Sequence, residues 1–157
     1  MKWYSHKAVG AGASLVLGLP LSGILITTLS SVLPDAVEFG VLKHRGLSHA
    51  WWIYGLLYMA SVIAFPGYSI YFFCAALGIL LHILCDAMTM TGVPAIPFSE
   101  KRIAFKFFKT GSFTEYVVVV MVVFACFYLF TKTGDVDLIK NDPFLKDIKL
   151  IASKITK

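Results

Sequence analysis

The chain has 157 residues, of which 58% are hydrophobic and only 15% charged, with a net charge of +5. Soluble domains carry about a quarter charged residues. Here the charges lie between long apolar runs, which disfavours a soluble helical protein and points to a membrane protein. The positive balance does not indicate nucleic acid, and none is expected as a partner. The lysines gather at the ends of apolar segments, where anionic lipid headgroups attract them.

Residues 1–34 begin like a secretory leader, with Lys2 and Lys7 ahead of an apolar stretch. His6 interrupts that start, and Pro34-Asp35 stands where a leader has small residues for cleavage, so the region reads as retained structure. Its apolar part, residues 8–33, is broken by Gly18-Leu19-Pro20-Leu21-Ser22-Gly23. Pro20 removes a backbone donor in the middle of the run. Two short helices are predicted, over residues 6–18 and 21–34, folded as a hairpin. A straight helix would hold His6 and Asp35 about 40 Å apart; a hairpin returns them to one side. Helices this short must shelter against full-length neighbours, because loose backbone cannot face lipid.

A polar stretch with Glu38, Lys43, His44 and Arg45 follows. A helix is predicted from Leu47-Ser48-His49 to Phe65, with Ser48 as N-cap or first-turn residue and Trp51, Trp52, Tyr54 and Tyr58 as an interfacial aromatic belt. Pro66-Gly67 marks a turn, and residues 69–91 form the clearest spanning run. Gly92 and Pro94 end it. Lys101, Arg102, Lys106 and Lys109 alternate with Ile103, Phe105, Phe107 and Phe108, which reads as a short extended piece or an irregular surface loop. A last spanning helix is predicted over residues 113–130. Beyond it, Phe144, Ile148, Ile151 and Ile155 share a helical face ringed by lysines, suited either to the membrane surface or to packing on the protein itself. Cys74, Cys85 and Cys126 lie in apolar runs without CxxC spacing and read as small hydrophobes.

The expected fold is therefore an all-α integral membrane protein: a short N-terminal helical hairpin, three transmembrane helices and an amphipathic C-terminal tail. Residues 1–130 form the membrane-embedded domain and residues 131–157 the tail. Lys2, Lys7, Lys43, Arg45, Lys101, Arg102, Lys106 and Lys109 fall on one side, whereas the turns at 18–23 and 66–68 carry no lysine or arginine. The positive-inside tendency puts that side in the cytoplasm of a bacterial cell, with the protein multi-pass in its inner membrane.

All four histidines, His6, His44, His49 and His82, and two acids, Asp35 and Asp86, lie inside or beside these greasy segments. Unpaired charge is costly there, and a shared divalent metal would offset the cost. His82 and Asp86 are four apart and share a helix face. Imidazole with carboxylate suits a divalent ion, although a buried His–Asp pair without metal has the same spacing. His44 and His49 bracket a helix start. Asp35 is placed at a helix C-terminus, where the dipole offers a carboxylate nothing. Glu38 could serve as ligand or general base, or merely face solvent. Arg45 could hold a phosphate or carboxylate, or act as a positive-inside anchor. The donors outnumber the needs of one Zn²⁺, so one or two ions, expected to be zinc, fit the set.

These motifs resemble the bacterial inner-membrane metal-dependent hydrolase family whose founding members are LexA-regulated. The resemblance rests on His6, Leu33-Pro34-Asp35, His44-Arg45-Gly46-Leu47-Ser48-His49, His82-x-x-x-Asp86, and then Thr89, Gly92, Val93 and Pro94, and covers about residues 1–125. It implies an integral membrane, metal-dependent hydrolase, with distant similarity to helical zinc phospholipase C and P1-type nucleases and hence phosphoester hydrolysis by analogy. The family usually reads Pro-Asp-x-Asp, whereas this chain has Val37 at the second acid and Glu38 one step later.

The expected function is hydrolysis of a phosphoester or lipid-derived substrate at the cytoplasmic membrane face. His6, Asp35, His44, His49, His82 and Asp86 are the expected ligands, and Glu38 and Arg45 the catalytic groups, with Lys101 or Arg102 balancing substrate charge. Membrane lipids and a lipid-derived substrate are the expected partners. The alternative is a catalytically inactive metal-binding subunit, self-associated or held in a larger membrane complex, with Gly10, Gly12, Ala13 and Gly78 as close-contact positions.

Overall fold

The computed structural model describes residues 1–38, 47–95, 101–133 and 142. Helix α1 spans Trp3–Val16 and α2 Leu21–Ser30. Between them Gly18 adopts φ 63°, a left-handed conformation open to glycine at little cost, and Pro20 serves as the N-cap of α2. The break thus falls where the sequence places it, and the two helices pack as a hairpin.

The second helix ends earlier than expected, and this changes the setting of Asp35. A separate short helix, α3, spans Leu33–Val37 with Pro34 in its first turn. Proline lacks the donor that a first turn leaves unused, so it opens a helix more readily than it closes one. Asp35 therefore sits at a helix start and not at a C-terminus.

A 3-10 turn at Leu47–His49 precedes α4, which spans Trp51–Ala64. The predicted start at Leu47 is thus irregular backbone, and Ser48 does not cap the helix; that position belongs to Ala50. A second 3-10 turn, Pro66–Tyr68, leads into α5, Ser69–Ala87. Strands β1 (Val93–Pro94) and β2 (Arg102–Ile103) pair antiparallel. The chain after β2 crosses the end of α5, where Phe105 and Phe107 donate backbone bonds to the carbonyls of Ala87 and Met88 at 2.8 and 3.0 Å. Of the two readings of this basic segment, the extended one holds. Its backbone satisfies carbonyls that a helix end leaves open. Helix α6 spans Phe113–Thr133, three residues beyond its predicted end.

Among the described residues, two helices are long and apolar enough to cross a membrane, Pro66–Ala87 and Phe113–Lys132. The expectation of three falls short at α4, whose 14 residues reach only about 21 Å at 1.5 Å each. Burial is inverted relative to a soluble protein. Leu56, Ile63 and Phe124 are 70–76% exposed, while Ser5, Ser14, Thr27, Ser31 and the site histidines are buried. Bilayer proteins pack through small and polar residues because lipid already solvates the apolar ones.

Helix α5 packs on α2 and α4, and α1 on α2 and α6. Gly78 permits the α2–α5 contact: a Cβ there would lie 2.3 Å from the Thr27 carbonyl. A Cβ at Gly10 would meet Ser31, and one at Gly12 would meet Cys126. These three glycines thus serve contacts within the chain. The predicted tail lies outside the described residues apart from its first residues, in α6, and Asp142, which accepts a bond from the Ser22 backbone at 2.6 Å at the start of α2.

Candidate metal centre

The start of α1, α3, the first 3-10 turn and the end of α5 meet at one end of the bundle. His82 and Asp86 lie one turn apart on α5, both essentially fully buried. The close α2–α5 crossing brings the Ser31 carbonyl within 2.7 Å of His82 Nδ1. That bond places the proton on Nδ1 and leaves Nε2 as the free donor atom. The 3-10 turn delivers His49 from the other side, its Nε2 3.0 Å from His82 Nε2. Asp35 Oδ1 lies 3.4 Å from His49 Nε2 and 3.6 Å from His82 Nε2. Asp86 Oδ2 lies 3.4 and 3.9 Å from the same two nitrogens.

These four atoms all fall within 4.8 Å of one another. A tetrahedral ion bound at 2.0–2.1 Å separates its ligand atoms by about 3.3 Å. The five separations above, 3.0 to 3.9 Å, bracket that value. Asp35, His49, His82 and Asp86 could therefore hold a metal ion, and two imidazoles with two carboxylates suit a first-row divalent cation.

The surroundings hold the set in place. Glu38 Oε1 lies 2.9 Å from His49 Nδ1, the nitrogen facing away from the cluster, and accepts a bond from the Ser48 hydroxyl. The His6 ring stacks on His82 at 3.8 Å between centroids, and its Nε2 is 3.5 Å from Asp86 Oδ1. The Met1 amino group also bonds Asp86 Oδ1. Among the described residues, both ring nitrogens of His6 are buried without a hydrogen bond. Such atoms are costly unless a further group, such as a cation, takes them up.

Burial alone would depress the His49 pKa, but the Asp35, Asp86 and Glu38 carboxylates outweigh it and raise the value to about 9. Burial opposes ionisation of Asp35, yet the His49 hydrogen bond and the nearby His82 and His6 hold its pKa below the usual carboxylate value. In the metal-free protein a proton on His49 thus does part of the work of a cation.

Of the expected site residues, the fold brings together His6, Asp35, Glu38, His49, His82 and Asp86. His44 and Arg45 lie outside the described residues. Arg102 donates to the Thr91 carbonyl at 3.1 Å, beside β1. Val37, at the departing position, is exposed, whereas Glu38 is buried against His49. Sequence reasoning missed the Ser31 carbonyl and the side-chain role of Ser48. Glu115 was also missed: this fully buried carboxylate accepts from Ser5 Oγ, the Lys2 backbone and the Gly111 backbone at 2.7, 2.9 and 2.6 Å. It ties the start of α1, and so His6, to the start of α6. A lone acid in an apolar helix was the available signal.

The family description "YdjM inner membrane protein" matches residues 1–138 of the chain. The chain belongs to the YdjM inner membrane protein family. The match takes in every residue of the cluster, and inner-membrane residence agrees with the two long apolar helices. It extends past the 1–125 over which the sequence motifs carry the resemblance. No curated protein and no solved structure matches this YdjM-family chain, so the likeness to zinc phospholipases and P1-type nucleases gains no support from them.

Proposed function

We propose that this protein is a membrane-embedded, zinc-dependent hydrolase acting on a phosphoester or lipid-derived substrate at the cytoplasmic membrane face. The observation that carries the metal site is the convergence of one donor atom each from Asp35, His49, His82 and Asp86 within 4.8 Å. The cytoplasmic placement rests on Lys2, Lys7, Lys101, Arg102, Lys106 and Lys109, which belong to the site end of the bundle.

A divalent ion held there supplies Lewis acidity toward a phosphoryl or carbonyl oxygen and lowers the pKa of a bound water. The chain's own residues supply the rest. His49 and His82 present Nε2 because Glu38 and the Ser31 carbonyl hold the opposite ring nitrogens. Glu38 thus acts through His49 as a positioning residue. His6, stacked on His82 with neither ring nitrogen hydrogen-bonded among the described residues, would take up the proton released by the attacking water and return it to the leaving group. Arg45, with Lys101 or Arg102, balances substrate charge. Asp35 is the least buried of the four ligands, its side chain 10% exposed, and marks the side from which a substrate enters.

The second reading, a metal-binding structural or assembly subunit, is favoured by the ligand count. Catalytic zinc usually has three protein ligands and an open position, whereas four close the tetrahedron. An active hydrolase would hold the ion with three of these residues, leaving Asp35, the least buried, toward the substrate. The deciding experiment assays phospholipids and phosphodiesters with zinc-loaded wild type beside His82→Ala. Metal-dependent turnover lost in the variant supports the hydrolase. Stoichiometric zinc without turnover on any member of the panel rejects it in favour of the structural reading.

A further inference from the structure

A groove of about 200 Å³ runs between α4 and α5. Its walls include Trp51, Tyr54, Gly55 and Tyr58 from α4 and Ile79 and Ile83 from α5. Among the described residues, no charged side chain lines it. Along each helix the lining covers about 10 Å at 1.5 Å per residue. On α4 the groove reaches toward the candidate metal centre: the Tyr54 hydroxyl donates to the Ser48 carbonyl at 2.7 Å, and His49 follows Ser48 in the chain. Leu56 and Leu57 of α4 and Leu80 of α5 are exposed beside it.

We infer that this groove seats one acyl chain of the substrate, so that the substrate is a membrane lipid with its anionic headgroup at the metal centre. The inference rests on the hydrolase reading above and names its substrate class. Three observations choose a chain as the occupant. The groove's described lining carries no charge, exposed Leu56, Leu57 and Leu80 flank it, and Tyr54 links it to the turn that carries His49, among donors that could hold a cation and so attract an anion. At about 200 Å³ it is smaller than typical pockets of roughly 300–1,000 Å³ for drug-sized ligands, and fits a single narrow chain. Gly55 leaves the groove open: a Cβ built there meets no atom within 4 Å. A larger side chain at this position fills the groove without clashing with its own surroundings.

The test uses the full chain in phosphatidylcholine nanodiscs, loaded with Zn²⁺, and a photoreactive phosphatidic acid with the reactive group in its acyl chain. Zinc content is measured on the same samples. The expected label falls on the groove residues of α4 and α5 in excess over Phe124, a bilayer-facing residue of α6. Gly55→Trp, and Gly55→Leu as a milder filling, keep the zinc and lower the groove label about tenfold or more, because the chain loses its buried apolar contact. Label on Phe124 stays constant. Groove labelling no greater than that on Phe124, or unchanged in both variants while zinc is present, overturns the groove and leaves the hydrolase reading standing. Zinc absent from the wild type overturns the hydrolase reading and the substrate role of the groove with it.

Discussion

His49 meets three carboxylates at once: Asp35 and Asp86 at Nε2, Glu38 at Nδ1. Glu38→Gln keeps the side chain's shape but removes the charge that fixes the ring. Loss of such an outer partner typically costs about 10–100-fold in metal affinity. Zinc titration against a competing chelator should show that loss with full stoichiometry at saturation. An unchanged affinity would mean that Glu38 does not orient the ligand. The raised pKa of His49 predicts a proton effect as well. Below about 9 the ring is protonated, so metal must displace a proton, and affinity rises with pH up to that value. Without metal the sign reverses for stability. A group whose folded pKa is raised stabilises fully below its unfolded pKa and loses the contribution as pH climbs through the folded value. Chelator-treated protein should therefore melt at lower temperature as pH rises from about 6.5 toward 9, and metal-loaded protein should not follow that trend.

At the scale of the elements, two contacts set the site. The α2–α5 crossing at Gly78 holds the Ser31 carbonyl against His82. Gly78→Val would drive a side chain into the Thr27 carbonyl and cost about 1–3 kcal/mol or more through overpacking. The expected readouts are a lower unfolding temperature in detergent and weakened zinc binding, since His82 loses its anchor. The Glu115 tie is the second. Glu115→Ala leaves the Ser5 hydroxyl and two backbone amides without their acceptor, each worth about 0.5–1.5 kcal/mol net or more when buried. A drop in unfolding temperature is expected, with zinc stoichiometry retained, because Glu115 touches none of the four ligand residues. The elements themselves were largely legible. The Gly18–Pro20 break, the Pro66 turn and the start of α6 follow from glycine and proline placement and from apolar run length. Asp35 was assigned the wrong end of a helix because an apolar run from Leu21 to Pro34 hides a break at Ser31-Val32, where packing on α5 rather than local propensity decides. The length of α4 was overestimated for a related reason: Leu47-Ser48-His49 has helical composition but is drawn into a 3-10 turn by the contacts of Ser48 and His49 with Glu38.

For the whole molecule, the sequence carried the membrane assignment through its charge distribution, and the fold explains why the histidines and acids are scattered along it. Four segments reach one end of the bundle only because the N-terminal region doubles back, so ligands at positions 35, 49, 82 and 86 converge within 4.8 Å. What could not be read was which donors face inward. Residue spacing gives the shared face of His82 and Asp86, but the inward turn of Glu38 and the outward turn of Val37 depend on the tertiary setting of α3. The hairpin makes a topological prediction too: cysteines placed at Ser22 and Gly67 should react with a membrane-impermeant thiol reagent from the side opposite to a cysteine at Lys109. Reaction of all three from one side would overturn the arrangement.

The central claim is that Asp35, His49, His82 and Asp86 form a metal centre. Elemental analysis of detergent-purified protein, prepared without chelators, tests it most directly when wild type is run beside His82→Ala and Asp86→Ala. The account predicts one zinc ion per chain in the wild type and loss of the ion in both variants while the protein remains folded. A wild type without stoichiometric metal, or variants that retain it in full, would contradict the account.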